Sequence, residues 1–527
     1  MHNSSVSLEP QPKNQAGRPQ RWVISVFLIF ALVMGFYALT AIEASHSNFA
    51  AVYDPSIREG RIAAQQEVLA GRADNAAKTY WTSTGIMLPL ASKMSGAPEA
   101  LYGENGIYDT LIYYSEMPKS HIATLSFHNL MGGLCMLFGA FQFWPAFRKR
   151  APRWHRGFGM LYMVAAQVGM IAAMSYMVMT PLEKMYDTLT FTVGLWFLAI
   201  GVTLTLWLSI WHLWRKEYAQ HQAYMALNYG LLLTAPFTRI NWTWAANLFP
   251  NMPQGISNYV ATAVLIPSCI FIGYALLCMN RWLQKERLTP NTKPTISPAL
   301  QTAFTYTAIG LALLTITTQL WTALLQPGLA QSALAQQMLP ATVIAHDTAV
   351  LGDGLSWSRL IHAISTLAAM LCGIRFLQIT FLKPAAGSAI AARPWLAGLM
   401  VFALADGAVQ LLWGWRYGAP SSATFAAGTP FLLNGSCSLL FALLLGWALR
   451  RGDQALAKEW GIFTMICVMA LPAFYWVLAV LSVMPIADIY IQQGHAYRLG
   501  MYGGLFLCTA AVIYSAYGEV TQRRFAR

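Results

Sequence analysis

Apolar runs of more than twenty residues recur along this chain, and nothing else in the sequence restricts its fold as strongly. A hydrocarbon layer ~30 Å thick needs ~20 residues of helix to cross it. Lipid offers no partner for backbone polar groups, so such runs must be helices or closed barrels, and barrel strands would be ~10 residues of alternating polarity. The runs here are long and continuous. Hydrophobic residues make up 56% of the chain, charged residues only 10%, and mean hydropathy is +0.46. The expectation is an all-α integral membrane protein with about twelve transmembrane helices.

Spans are expected near 22–43, 121–147, 156–180, 188–214, 222–249 and 258–280, then 300–325, 358–382, 394–415, 429–450, 459–483 and 497–518. Residues 1–21 read as a polar tail and 281–298 as a proline-containing linker. Two segments, 44–120 and 326–357, fall outside the bilayer, the first with helix-like (57–72) and aromatic (Tyr108–Tyr114) pieces that would cap the bundle. A formal net charge of +13 would suggest nucleic acid in a soluble chain, but its placement argues otherwise. Lysine and arginine gather in alternate connectors: Lys13–Arg21, 148–156, Arg215–Lys216, Arg281–Arg287, Arg450–Arg451 and Arg523–Arg527. That alternation is the positive-inside pattern. It points to a bacterial inner (plasma) membrane protein with both termini cytoplasmic, the lipid bilayer as partner and no nucleic acid. All seven cysteines lie in apolar runs with no C-x-x-C, a pattern of packing residues and not of a disulfide or zinc framework.

The span order repeats. Residues 22–280 and 299–527 each read as helix, outer segment, then five helices, and the first unit holds a four-helix core at 121–249. His128 and His362 each open a span, with Gly139 and Gly373 eleven residues on; Gly159 aligns with Gly398, Gln167 with Asp406 and Pro236 with Pro472. With an even number of spans per unit, two such repeats would be parallel in the membrane. Their chemistry differs. His155 faces a gap or Ala389, and His221 faces Ala457, while the second unit carries Arg375 and Asp406 within its spans. Charges at such depth seek each other, a cavity or a proton path.

Five of the ten histidines fall between His121 and His221. His155 and His221 start alternate helices of the four-helix core, where two imidazoles can ligate a haem iron axially. Arg153 and Arg156, with Arg215, lie near enough in sequence to receive propionates. The competing reading is a set of polar anchors at the interface. His128 and Arg239 come to a similar depth, Arg239 roughly 25 Å along its helix at 1.5 Å per residue. They mark either a polar pocket for an anion, a quinone carbonyl or a second haem, or an outer cap with a snorkelling arginine. The stripe Met160, Met163, Gln167, Met170, Met174 and Met177 reads as gap-filling core. Nucleotide-binding and hydrolase motifs are lacking.

The stretch that includes His128 with Gly139, Phe141-Gln142-Phe143, Arg153-Trp154-His155-Arg156-Gly157-Phe158-Gly159-Met160-Leu161-Tyr162, His221-Gln222-Ala223-Tyr224-Met225 and Arg239 resembles a family of prokaryotic membrane proteins known as domain of unknown function 2306. The likeness covers roughly 121–245, and the H-R-x-x-G-x-x-Y piece is its most specific part. It implies a four-helix membrane unit and assigns no reaction. A looser pattern is similar to the cytochrome b561 group, whose core helices supply haem histidines. Here the fourth span offers only His212, so that group's second haem pair is incomplete. The leading expectation, from alternate-helix histidines with adjacent arginines in a four-helix unit, is a b-type cytochrome-like module with haem b held by His155 and His221, passing electrons between quinol or another small reductant and an acceptor. The rival class is a cofactor-free transporter with a polar pathway at Arg239, Arg375 and Asp406; a scaffold or assembly subunit is a third. Topology gives a direct check. In intact cells, a single cysteine at position 152 in a cysteine-free background should escape an impermeant maleimide; labelling there would invert the layout.

Overall fold

The computed structural model describes residues 21–69, 117–185, 187–248, 256, 260, 265–284, 297–321, 337–351, 356–382, 388–421 and 423–525. The tail at 1–20, Tyr108–Tyr114 and most of the linker therefore lie outside the described residues. In the N-terminal half the helices are α1 (Arg21–Tyr53), α2 (Pro55–Leu69), α3 (Lys119–Gln142), α4 (Pro145–Arg150), α5 (Pro152–Met179), α6 (Thr188–Trp214), α7 (Tyr218–Leu232), α8 (Thr234–Leu248) and α9 (Ile266–Gln284). In the C-terminal half they are α10 (Pro298–Leu320), α11 (Ala341–Leu351), α12 (Trp357–Leu377, continued by a π turn to Leu382), α13 (Ser388–Tyr417), α14 (Thr429–Arg451), α15 (Gln454–Leu481), α16 (Asp488–Gln492) and α17 (His495–Phe525). Ten of the described helices are long and apolar enough to cross a membrane: α1, α3, α5, α6, α10, α12 to α15 and α17. This is an all-α, multi-pass membrane protein.

Several boundaries differ from expectation for identifiable reasons. Helix α1 runs ten residues past the expected end at 43, because its polar extension has tertiary partners. Ser45 donates to the Ser126 carbonyl at 2.6 Å, and buried Arg61 of α2 donates to Asn48 (3.0 Å) and Ser47 (2.6 Å). The connector at 148–156 is helical at both ends. Pro145 opens α4 and Pro152 opens α5, each in a first turn where a missing N–H costs nothing. The expected span at 222–249 is broken at Leu233 into α7 and α8. Pro236 follows and cannot donate to the carbonyl one turn back.

Helices adjacent in the sequence pack against each other in both halves: α1 on α3, α3 on α5, α6 on α7, α7 on α9, and likewise α10 on α12, then α12 through α15 in turn, and α15 on α17. Close approach is set by residue size. A Cβ on Gly139 of α3 would overlap the Tyr229 ring of α7 and lie 2.9 Å from the Tyr162 ring of α5. The outward faces are apolar: Leu161, Val164, Ile171 and Val178 of α5 are each more than half exposed, a stripe suited to lipid.

The halves meet where α17 packs on α6, α7 and α9. Part of the contact is aromatic, with the Phe271 ring of α9 tilted against Phe441 (centroids 5.3 Å apart) and Phe463 (5.4 Å). At the end remote from the basic connectors it is ionic. Fully buried Arg498 of α17 pairs with Asp187, the residue before α6. Burial pushes the Asp187 carboxyl above its ordinary range, and the guanidinium pulls it back. Asp187 has φ of 54°, a left-handed conformation that aspartate tolerates better than most residues. His495 completes the joint, its ring bonded to Thr188 and Thr190 at 2.9 Å each. Removing one partner of a buried pair strands the other charge and typically costs about 3–5 kcal/mol. Asp187→Ala should therefore lower the unfolding temperature sharply in detergent, whereas the double variant Asp187→Ala/Arg498→Met should recover part of the loss.

Candidate functional site

The residues singled out in the N-terminal half divide into two groups. His155 and His221 are each the fourth residue of their helix, α5 and α7, so both ride in a first turn. They lie within electrostatic reach of each other and of Arg148. The His155 Nδ1 is buried with no hydrogen-bond partner, and its ring sits edge-on to Phe147 at 6.5 Å. His221 is held through Nδ1 by Ser209, whose hydroxyl is 2.8 Å away. Next to it, the Gln220 amide is buried with neither atom bonded. Arg153 and Arg156 are exposed, and Arg156 donates to the Pro152 carbonyl at 3.3 Å. Arg215 is held by Glu217 (3.1 Å) and by the face of Trp211. His212, stacked on Tyr224, is 2.7 Å from the same Glu217.

His128 and Arg239 are also within electrostatic reach of each other. His128 Nδ1 lies 2.9 Å from the Gly169 carbonyl, while Arg239 is exposed and donates to Ala235 one turn back. His121 meets Thr180 at 3.2 Å. Below them, the bundle interior is closed by a hydrogen-bonded cluster. Tyr162 donates to Asn228 at 2.5 Å, Asn228 donates to the Val202 carbonyl at 2.7 Å, and Tyr229 donates to the Met136 carbonyl at 3.0 Å.

The C-terminal half holds the larger opportunity. A cavity of about 150 Å³ lies between α9 of the first half and α13, α14, α15 and α17 of the second, with α11 at its rim. Most of its wall is apolar or aromatic, including Phe271, Phe431 and Phe474. Its polar atoms sit at two levels. At the rim, the Tyr417 hydroxyl donates to Asp347, and Tyr475 and Tyr497 stand alongside. The adjoining α13–α14 connection is strained: Phe425 (φ 51°) and Ala427 (φ 44°) are buried non-glycine residues in the left-handed region. Deeper lie Gln410, Asn434 and the thiols of Cys437, Cys467 and Cys508.

Behind Gln410 is Asp406, which has no solvent exposure. Three donors converge on it. His362 Nδ1 is 2.6 Å away, Gln410 Nε2 2.8 Å and the Thr366 hydroxyl 3.3 Å. His362 Nε2 faces Gln319 Nε2 of α10 at 3.1 Å. The imidazole thus bridges the Asp406 carboxyl through Nδ1 and the Gln319 amide through Nε2. Gln410 passes the connection on: Asn434 donates to its Oε1 at 2.7 Å and to the Cys467 carbonyl at 2.9 Å. Arg375 takes no part, being exposed and bonded to Gln378 at 3.3 Å, so the deep acid is matched by a histidine and not by that arginine.

Asp406 and His362 were visible in the sequence, but not as partners. The signal available was the set Asp406, Gln410, Trp413 and Tyr417, spaced four, three and four, which shares one helix face. Asn434, Asp347 and the Asp187–Arg498 joint gave no periodic signal. Among the described residues, no group of three or more His, Cys, Asp or Glu side chains is arranged to hold a metal ion.

Comparison with known proteins bears on the N-terminal half. Residues 125–276 match a family model described as a predicted membrane protein of domain of unknown function 2306. The matched stretch runs from α3 into α9 and contains the H-R-x-x-G-x-x-Y residues of α5. No curated protein and no solved structure matches the chain.

Proposed function

We propose that this is a transporter-class membrane protein that takes a largely apolar small molecule into the cavity between its halves and exchanges a proton at the His362–Asp406 pair. One observation carries the reading: a continuous hydrogen-bonded path, Asp406 to Gln410 to Asn434, links a fully buried acid to the cavity wall. Intramembrane acids are costly and mark ion or solute pathways. Uptake of a proton by His362 falls on Nε2, and the Gln319 amide can then turn to accept from it, so the network has two closed states.

The reading includes twelve spans in two parallel six-helix repeats, bounded near 280 and 299, with both termini on the cytoplasmic side of an inner membrane. Corresponding contacts support the duplication. Gly139 meets Tyr229, seven residues before Pro236, and Gly373 meets Met465, seven residues before Pro472. His128 and His362 each bond the following span near the aligned pair Gln167 and Asp406.

A second reading keeps haem b at His155 and His221, with Arg153 and Arg156 toward its propionates and a quinol or other redox partner. The unpartnered, buried Nδ1 of His155 favours it. Haem would supply one-electron transfer there; the chain's own part would be two imidazoles and the Ser209 bond that orients one of them.

Two measurements separate these readings. In proteoliposomes carrying an internal pH dye, the wild type should dissipate an imposed pH gradient at least tenfold faster than Asp406→Asn. Equal rates would remove the proton role. The detergent-solubilised protein from haem-replete cells should show no Soret band under the first reading. Under the second, a Soret band would be present and lost in His155→Ala and His221→Ala.

A further inference from the structure

The path from Asp406 has a direction, and that direction selects a ligand. Asp406, receiving three donors, acts as an acceptor only. It therefore holds the Gln410 amide with Nε2 toward itself, which leaves Oε1 pointing onward. That oxygen in turn requires an N–H, and Asn434 Nδ2 supplies it. The Cys467 carbonyl, which is also an acceptor, independently takes the other Asn434 N–H. Two separate acceptors thus fix the same orientation of Asn434. Both of its N–H bonds are spent, and its Oδ1 is the unused polar atom. Gln410 is only 1% exposed, whereas Asn434 is half-buried and reaches the cavity. Each bond in such a chain polarises the next, so the carboxylate's charge is felt at the final oxygen.

Resting on the cavity reading above, we infer that the ligand presents a hydrogen-bond donor to Asn434 Oδ1: it is an uncharged, lipophilic phenol or alcohol. The wall agrees. Phe271, Phe431 and Phe474 offer aromatic faces and Met501 a soft, adaptable contact, which suits an aryl or alkyl body. A ligand offering only acceptors, such as a quinone or an ether, meets an acceptor at Asn434 and leaves it unpaired, whereas the hydroquinone form carries the required O–H. Unpaired buried acceptors are where strong discrimination between near-identical ligands arises.

The test uses 4-butylphenol and 4-butylanisole, which differ in replacing O–H by O–CH₃. Binding to the full chain in nanodiscs is measured calorimetrically, with empty nanodiscs subtracted for lipid partition. Wild type should prefer the phenol by about tenfold or more. Gly504→Leu should abolish saturable binding of both probes: Gly504 lines the cavity, and a Cβ there meets nothing within 4 Å, so the added side chain fills open space without a clash. Asn434→Leu should bring the two affinities to within about twofold. Should that variant fail to fold, Asp406→Asn, which removes the anion that orients Gln410, should cut the preference several-fold. Equal affinities in wild type, both lost in Gly504→Leu, would overturn the donor inference while leaving the cavity reading in place. A tenfold preference that survives both Asn434→Leu and Asp406→Asn would also overturn it. Absence of saturable binding by either probe would sink both.

Discussion

The joint between Arg498 and Asp187 decides how the two halves present themselves to each other. A guanidinium with no solvent exposure needs a carboxylate close by, and the one that meets it comes from the opposite half. That bond fixes the rotation of α17. With Arg498 and Tyr502 turned to the first half, Tyr502 donates to the Thr190 carbonyl at 2.9 Å. The face carrying Tyr497, Met501, Gly504 and Cys508, spaced four, three and four, is then left for the cavity. The left-handed backbone at Asp187 and the His495 bonds to Thr188 and Thr190 belong to the same device. The cavity wall is thus a consequence of an ion pair that does not itself line it.

Asp406 poses the opposite problem: a carboxyl with no solvent exposure that meets no lysine or arginine among the described residues. Hydrogen bonds from neighbouring side chains take that place. His362 and Thr366 come from α12, and Gln410 lies one turn along α13. Gln319 and Asn434 then extend the network to α10 and α14. Four helices are tied to one carboxylate. Such networks are stable when every member is satisfied and costly when one is missing, so the geometry around Asp406 is tightly specified. The Trp413 ring packs edge-on against His362, with centroids 4.9 Å apart.

The periodicity of the sequence made the all-α membrane architecture legible, because lipid leaves the backbone no alternative. It also made most of the C-terminal spans legible to within a few residues; α14, expected at 429–450, runs from Thr429 to Arg451. Local chemistry moved the other ends. Hydropathy could not show that Ser45, Asn48 and Arg61 would prolong α1, since their partners are tertiary. Nor could it separate α7 from α8, where a single proline redirects the backbone. The intramembrane acid was legible, but its partner was not. Charge alone pointed from Asp406 to Arg375, while the fold turns Arg375 outward and brings in a histidine forty-four residues away. Sequence spacing reports which residues share a face; it does not report which face meets which.

Gln167 and Asp406, which the span order places in correspondence, make different contacts. Where the second half has Asp406, the first has Gln167, which accepts from Trp207 at 2.9 Å on an exposed surface. His128 consequently bonds a backbone carbonyl, where His362 bonds a carboxylate. A carbonyl holds the histidine Nδ1–H without supplying charge, and Arg239 lies within electrostatic reach. Glutamine at 167 and aspartate at 406 thus give the two histidines different surroundings, and the network built on the aspartate is the one that reaches the cavity wall.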